Sequence, residues 1–313
     1  MKKLLLVVLL VGALILAMAL LRKDHIVPRE VAIEQFTCEY SKFVDMGGFK
    51  IHYTEKGEGM PVVMFHGFAG SHNNWDKLLR NFPDGYRVIC PDLPGFGLSD
   101  FPEMEYSNTS LIDFYAETMS EFLVKVDVDS AYLLGNSMGG YMAWELALRD
   151  DKIKKLVLLN AMGYATEDIK PLLARLMTLP IADVFIKNGL PLGFAKVGAK
   201  KCFGDDSKIE EAGIKSFYSY LNTDGVLGHT KMLANSIQYP DTTRVSQIKQ
   251  PSLIIWGDLD KIIPVEHAYK FNRDIPNNKL IIYKGSGHVP MIENNEETLR
   301  DVLNFFNQNH VAL

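Results

Sequence analysis

The sequence predicts an α/β architecture on a mainly parallel sheet, and three observations carry that prediction. Short apolar runs recur at 50–53, 62–65, 87–90, 131–134, 156–159, 253–256 and 280–283. Most are continuous rather than alternating, as in strands covered on both faces. Helical patterns separate several of them, as at 110–126 and 141–149. Alternation of strand and helix favours parallel pairing through right-handed crossovers. The third observation is a glycine-flanked serine at 135–140, where an apolar run gives way to a helical pattern.

The rhythm stops between about 163 and 243, where no convincing strand is found. Helices are expected near 168–178, 181–188, 207–222 and 228–237, punctuated by Pro171, Pro180, Pro191 and Pro240. An all-helical insertion between two strands reads as a cap. The expected division is therefore a core of 39–162 and 244–313 with a cap of 163–243.

Ahead of the core, residues 4–21 are 18 consecutive apolar or small residues between Lys2-Lys3 and Arg22-Lys23. That run sits at the lower limit for a spanning helix and exceeds a typical signal-peptide core. Residues 1–23 are expected to anchor the chain in a membrane, with the folded domain exported to the periplasm or the exterior. Ala17-Met18-Ala19 resembles a cleavage site, so a removable signal and a secreted protein form the alternative. Residues 24–38 read as a polar tether.

With 313 residues the chain can bury a sizeable core. Its net charge of -5 and its pI of about 5.9, with no basic stripe, argue against nucleic acid as a partner. Cys38, Cys90 and Cys202 are odd in number and far apart, which suits neither a disulfide framework nor a metal site. Cys90 follows Val88-Ile89 and reads as a buried thiol.

Gly135-Asn136-Ser137-Met138-Gly139 matches G-x-S-x-G with a strand before it and a helix after it. Side chains at 135 or 139 would collide with neighbouring backbone, and the helix N-terminus brings N–H groups and partial positive charge to Ser137. A serine nucleophile needs a base to take its proton. His288 lies in a glycine-containing loop after the last expected strand, and so completes the order nucleophile, acid, base. Two carboxylates follow the run ending at Trp256, and Asp260 reaches further towards an imidazole than Asp258, whose simpler role is a turn. In His66-Gly67-Phe68-Ala69-Gly70 the glycine lets the backbone turn, so the N–H groups of Phe68 and Met138 are the expected oxyanion donors. His66 reads as structural.

"HGFAG", "CPDLPGFGLSD", "GNSMGG", "WGDLDKIIP" and "GSGHVPMIE" follow one another across 40–310, and in that order the chain resembles the α/β-hydrolase family. The resemblance implies an eight-stranded, mainly parallel sheet with a cap after strand 6, and a Ser137–His288–Asp260 triad needing no metal or other cofactor. The family's acid falls three residues after the motif glycine, which again selects Asp260. Some members place it after an earlier strand, but Asn160 stands near that position here and cannot serve. The loop of Asp92 to Ser99 is carried over as structural.

Ser137 argues against the relatives that use aspartate there. "GNSMGG" resembles the carbon–carbon bond hydrolases of aromatic ring-cleavage products, but those usually have tryptophan after the histidine, where this chain has Val289, and their oxyanion loop differs from "HGFAG". Esterases and lipases, including membrane-anchored monoacylglycerol-lipase-like members, resemble it better. An apolar cap ("PLLARLMTLPIADVFI"), the expected anchor and the lack of an arginine cluster point to lipid or acylglycerol esters as substrate. The alternatives are a small-ester methylesterase or perhydrolase, a carbon–carbon bond hydrolase, and a non-catalytic ligand sensor on the same fold.

Overall fold

All seven apolar runs become strands in the computed structural model, which describes residues 11–12, 25–102, 111–165, 172–236 and 241–308. An eighth strand precedes them. The sheet comprises β1 (Ser41–Asp45), β2 (Lys50–Lys56), β3 (Gly59–Phe65), β4 (Gly85–Pro91), β5 (Ala131–Asn136), β6 (Ile153–Leu159), β7 (Ser252–Gly257) and β8 (Asn278–Tyr283). Their spatial order is β1-β2-β4-β3-β5-β6-β7-β8. β2 pairs antiparallel with β1 and β4, and the remaining neighbours are parallel.

The continuous apolar pattern has a direct cause. Successive side chains of a strand point to opposite faces, and here both faces are covered. Val63, Phe65 and Leu133 join one buried layer, while Val62, Met64 and Leu134 join the other. β1 differs because it is an edge strand with Lys42 and Phe43 exposed, so it leaves no apolar signature.

Between β6 and β7 the structure holds the helices Leu172–Met177, Ala182–Asn188, Leu192–Cys202, Glu211–Leu221 and Val226–Ser236. The helix Leu192–Cys202 was not among those expected. Gly193 and Gly198 lower its intrinsic propensity, and Pro191 at its N-cap hides its start.

The segment expected to be a tether carries the helix Arg29–Phe36, and this helix is seated on the core. Ala32 is buried against Leu98 and Tyr220. Arg29 Nε donates to Asp100 Oδ1 at 2.9 Å, and the Val27 N–H donates to the Asn222 carbonyl at 2.8 Å. The expected anchor lies outside the described residues apart from 11–12. Among the described residues no helix is long and apolar enough to cross a membrane.

Two buried histidines make the fold acid-sensitive. Burial pushes His229 down to about 3; burial and then nearby Lys270 push His267 down to about 4, against the pull of Asp260 and Glu266. An unfolded histidine takes its proton near pH 6.5, so between that pH and the native values the unfolded chain binds more protons. Stability therefore falls as pH drops from about 6.5 towards 4. Both ring nitrogens of His267 are buried without a hydrogen-bond partner, so His267→Leu sacrifices no bond. The variant should flatten the fall in Tm between pH 7 and pH 5 and raise Tm by a few degrees at pH 5, read by thermal melts. An unchanged pH slope would contradict this account.

Candidate active site

Ser137 sits between β5 and the helix Met138–Arg149 with φ 57° and ψ −118°, a left-handed conformation strained for any residue with a side chain. Its surroundings enforce that conformation. A Cβ at Gly135 would fall on the Gly139 carbonyl, and one at Gly139 would fall on the carbonyl of Phe65. The Ser137 N–H donates to the Leu159 carbonyl at 3.1 Å, and its own carbonyl accepts from Met162 N–H at 2.9 Å and Tyr141 N–H at 3.2 Å. The turn is thus gripped by β3, β6 and its own helix.

His288 Nδ1 lies 2.8 Å from Asp260 Oδ2, and both residues are buried. The other carboxylate oxygen, Oδ1, accepts the N–H groups of Ile262 at 2.7 Å and Ile263 at 2.9 Å. Oδ2 takes a second bond, from Asn160 Nδ2 at 2.7 Å. The carboxylate is fixed in plane and orientation, as an acid that steers an imidazole must be. Asp258 instead accepts the Gly285 N–H at 2.7 Å and braces a turn.

The backbone after β3 comes close to the serine, since a Cβ at Gly67 would stand 3.1 Å from Ser137 Cβ. Ala69 follows at φ 59°, a second left-handed residue without glycine's freedom. Among the described residues no hydrogen bond uses the N–H of Phe68 or of Met138. His66 is buried and structural. Its Nε2 accepts from Leu93 N–H at 2.9 Å, which leaves Nδ1 as the donor to the Gly67 carbonyl at 2.8 Å. Burial lowers its pKa, so the ring stays neutral while it ties two loops together.

Gly67, Phe68, Ser137 and His288 line one cavity of about 600 Å³ together with cap residues such as Leu173, Phe194 and Phe217. Among the described residues, five basic side chains (Lys77, Arg175, Lys201, Lys208, Lys261) and two acidic ones (Asp76, Glu210) also line it. The sequence showed no cationic cluster because these residues are scattered over the chain.

His52, His72 and Asp92 offer ligand atoms within 4.8 Å of one another, the one grouping among the described residues with that spacing. Those atoms are already committed. Asp92 accepts from His52 Nδ1 at 2.8 Å, His72 N–H at 2.6 Å and Leu98 N–H at 2.9 Å, and His72 Nδ1 lies 3.0 Å from it. Burial alone would raise its pKa, yet His72 beside it and the bonds from both histidines hold the carboxyl well below its usual range. The cluster anchors the 92–99 loop and leaves a metal no free ligand atom on Asp92.

Two residues bonded to the His288–Asp260 pair that the sequence does not mark are Asn136 and Asn160. Asn136 Nδ2 donates to the His288 carbonyl at 2.9 Å. Asn160, dismissed as an acid, supports the acid instead. Each stands at the end of a strand, and nothing in the sequence marks that contact.

The chain belongs to the α/β-hydrolase fold family, whose model matches residues 60–295. It is 29% identical over 284 residues to the 2-hydroxy-6-oxo-6-(2'-aminophenyl)hexa-2,4-dienoic acid hydrolase of Metapseudomonas resinovorans, covering 85% of this chain and 91% of that protein. It is 30% identical over 285 residues to 2-hydroxy-6-oxononadienedioate/2-hydroxy-6-oxononatrienedioate hydrolase 1 of Pseudomonas putida, covering 85% and 96%. Among solved structures it is similar to a serine hydrolase involved in carbazole degradation, with TM-score 0.70, 26% identity and coverage of 85% and 98%.

These relatives overturn the expectation of a lipid or acylglycerol esterase, since their names give them 2-hydroxy-6-oxo dienoic, dienedioate and trienedioate substrates. The apolar cap composition has a plainer cause: Met177, Ala182, Phe185 and Leu190 are buried in the main core layer. A role for the N-terminal segment in membrane binding is likewise unsupported. What stands is a hydrolase of the α/β fold.

Asp260→Asn should slow phosphonylation of Ser137 by a fluorophosphonate probe about 10²–10⁴-fold, while Asp258→Asn should stay within about twofold. Equal losses in both variants, read by intact mass, would contradict the division of roles between the two carboxylates.

Proposed function

We propose that this chain hydrolyses the carbon–carbon bond beside the ketone of 2-hydroxy-6-oxo-dienoates, with Ser137 as nucleophile, His288 as base and Asp260 as its orienting acid. The observation that carries the reading is relatives named for that substrate class over 85% of the chain. The excess of basic side chains around the cavity supports it, because such a substrate carries a carboxylate.

Carbon–carbon hydrolysis requires the departing carbon to leave with an electron pair. In these substrates the proton of the C2 hydroxyl moves to C5, giving a ketone at C2 and making C5 the end of a conjugated leaving group. Ser137 Oγ then bonds to C6 and its proton passes to His288. The oxyanion on C6 lies against the N–H groups of Phe68 and Met138, where preorganised donors are worth about 3–4 kcal/mol each. The C5–C6 bond breaks, its electron pair spreads towards the C2 oxygen, and His288 returns the proton to the dienolate. Water attacks the acyl-serine, with His288 again taking a proton, and the carboxylic acid leaves. One water is consumed, with no change of oxidation level that needs a redox partner.

The test is turnover of 2-hydroxy-6-oxo-6-phenylhexa-2,4-dienoate by the full chain, followed by loss of the dienolate's visible absorbance. The proposal expects turnover that falls at least about 10⁴-fold in Ser137→Ala. No turnover of this or of 2-hydroxy-6-oxononadienedioate, while simple p-nitrophenyl esters are cleaved, would sink it.

A further inference from the structure

The peptide that carries His288 is held at each of its polar groups by a different part of the chain. The Gly287 N–H donates to Glu293 Oε2 at 2.7 Å, and the Gly287 carbonyl accepts from Asn160 Nδ2 at 3.2 Å. The His288 N–H donates to the Cys202 carbonyl at 2.6 Å, and its carbonyl accepts from Asn136 Nδ2. Asn136 and Asn160 stand at strand ends of the rigid sheet. Cys202 ends a cap helix, and Glu293 spans the two regions.

Glu293 is buried, yet no lysine or arginine pairs with it among the described residues. Backbone donors surround it instead. Oε1 accepts the N–H groups of Asp205 at 2.8 Å and Gly204 at 3.1 Å, both just past the cap helix. Oε2 accepts that of Gly287, next to the imidazole-bearing residue. The cap and the histidine loop also touch backbone to backbone, since a Cβ at Gly287 would fall on the Cys202 carbonyl and one at Gly204 on that of Gly285. A buried carboxylate surrounded by peptide N–H groups leaves several donors unsatisfied when removed. Here those donors belong to two segments, the cap end and the histidine loop, and this side chain bonds to both.

We propose that Glu293 is a positioning residue: it clamps the His288 peptide to the end of the cap helix, so the base keeps its aim only while the cap is seated. The inference rests on His288 being the base. A misplacement of about 1 Å in a catalytic group costs about 10²-fold in rate, so the clamp should be visible in kinetics.

The experiment uses the full chain as wild type, Glu293→Gln and Glu293→Ala. Phosphonylation of Ser137 by a fluorophosphonate is timed by intact mass, and amide hydrogen exchange is followed at 201–206 and 284–289. The expected result is labelling about 10–100-fold slower in Glu293→Ala and about 3–10-fold slower in Glu293→Gln. Glutamine keeps one acceptor oxygen but turns an NH₂ towards a donor. Exchange should rise in both segments together. The isosteric Glu293→Gln decides the matter where Glu293→Ala does not fold. Labelling at the wild-type rate in a folded variant, or faster exchange in the cap segment alone, overturns the proposal. The probe is indifferent to the natural substrate, so failure of the carbon–carbon reading leaves the test intact, whereas a wild type that never labels refutes the base assignment itself.

Discussion

The strained turn at Ser137 is the constraint on which the rest of the site depends. A serine in a left-handed conformation costs about 1–3 kcal/mol and persists only where its neighbours leave no alternative. Here the helix after the serine presses so close to the ends of β3 and β5 that residues 135 and 139 can carry no side chain. The same crowding brings the Gly67–Phe68 backbone against the serine and leaves the Met138 N–H at the start of a helix. The serine turn and the two N–H groups beside it are therefore consequences of one packing arrangement. The strain is stored by the parallel strands, whose registers hold β3, β5 and β6 in line.

Around that turn the charged groups divide into two kinds. Asp260 meets an imidazole and three N–H donors, and it faces the cavity through His288. Asp92 has a similar supply of donors, but neither of its histidines lines the cavity, and it serves to fix a loop. Two buried carboxylates with similar partners thus have different work because of where their histidines point. Two neutral amides, Asn136 and Asn160, and one carboxylate, Glu293, hold the His288 peptide and Asp260 in place.

The sequence made legible whatever the sheet buries on both faces. Seven strands, the serine turn, the pairing of His288 with Asp260 and the turn at Asp258 all follow from patterns local to a few residues. β1 was invisible because an exposed edge leaves no apolar run. The helix Leu192–Cys202 was invisible because Gly193 and Gly198 weaken its helical signal and Pro191 hides its start. The contacts of Asn136 with His288, of Asn160 with Asp260 and of Glu293 with the cap join residues 88 to 152 positions apart and have no local signature. The substrate class was misread for a related reason. Apolar residues in the cap were assigned to a lipid chain although many pack inward, and the cations at the cavity are brought together only by the fold.

The proposed reaction turns on acylation of Ser137 during cleavage of a carbon–carbon bond. Rapid-quench mass spectrometry of the full chain mixed with 2-hydroxy-6-oxo-6-phenylhexa-2,4-dienoate tests it most directly. The account expects a benzoyl group on the Ser137 peptide that rises and decays as the dienoate product accumulates. Product formed at full rate with Ser137 unmodified throughout would contradict it, and would assign the attack on the ketone to water.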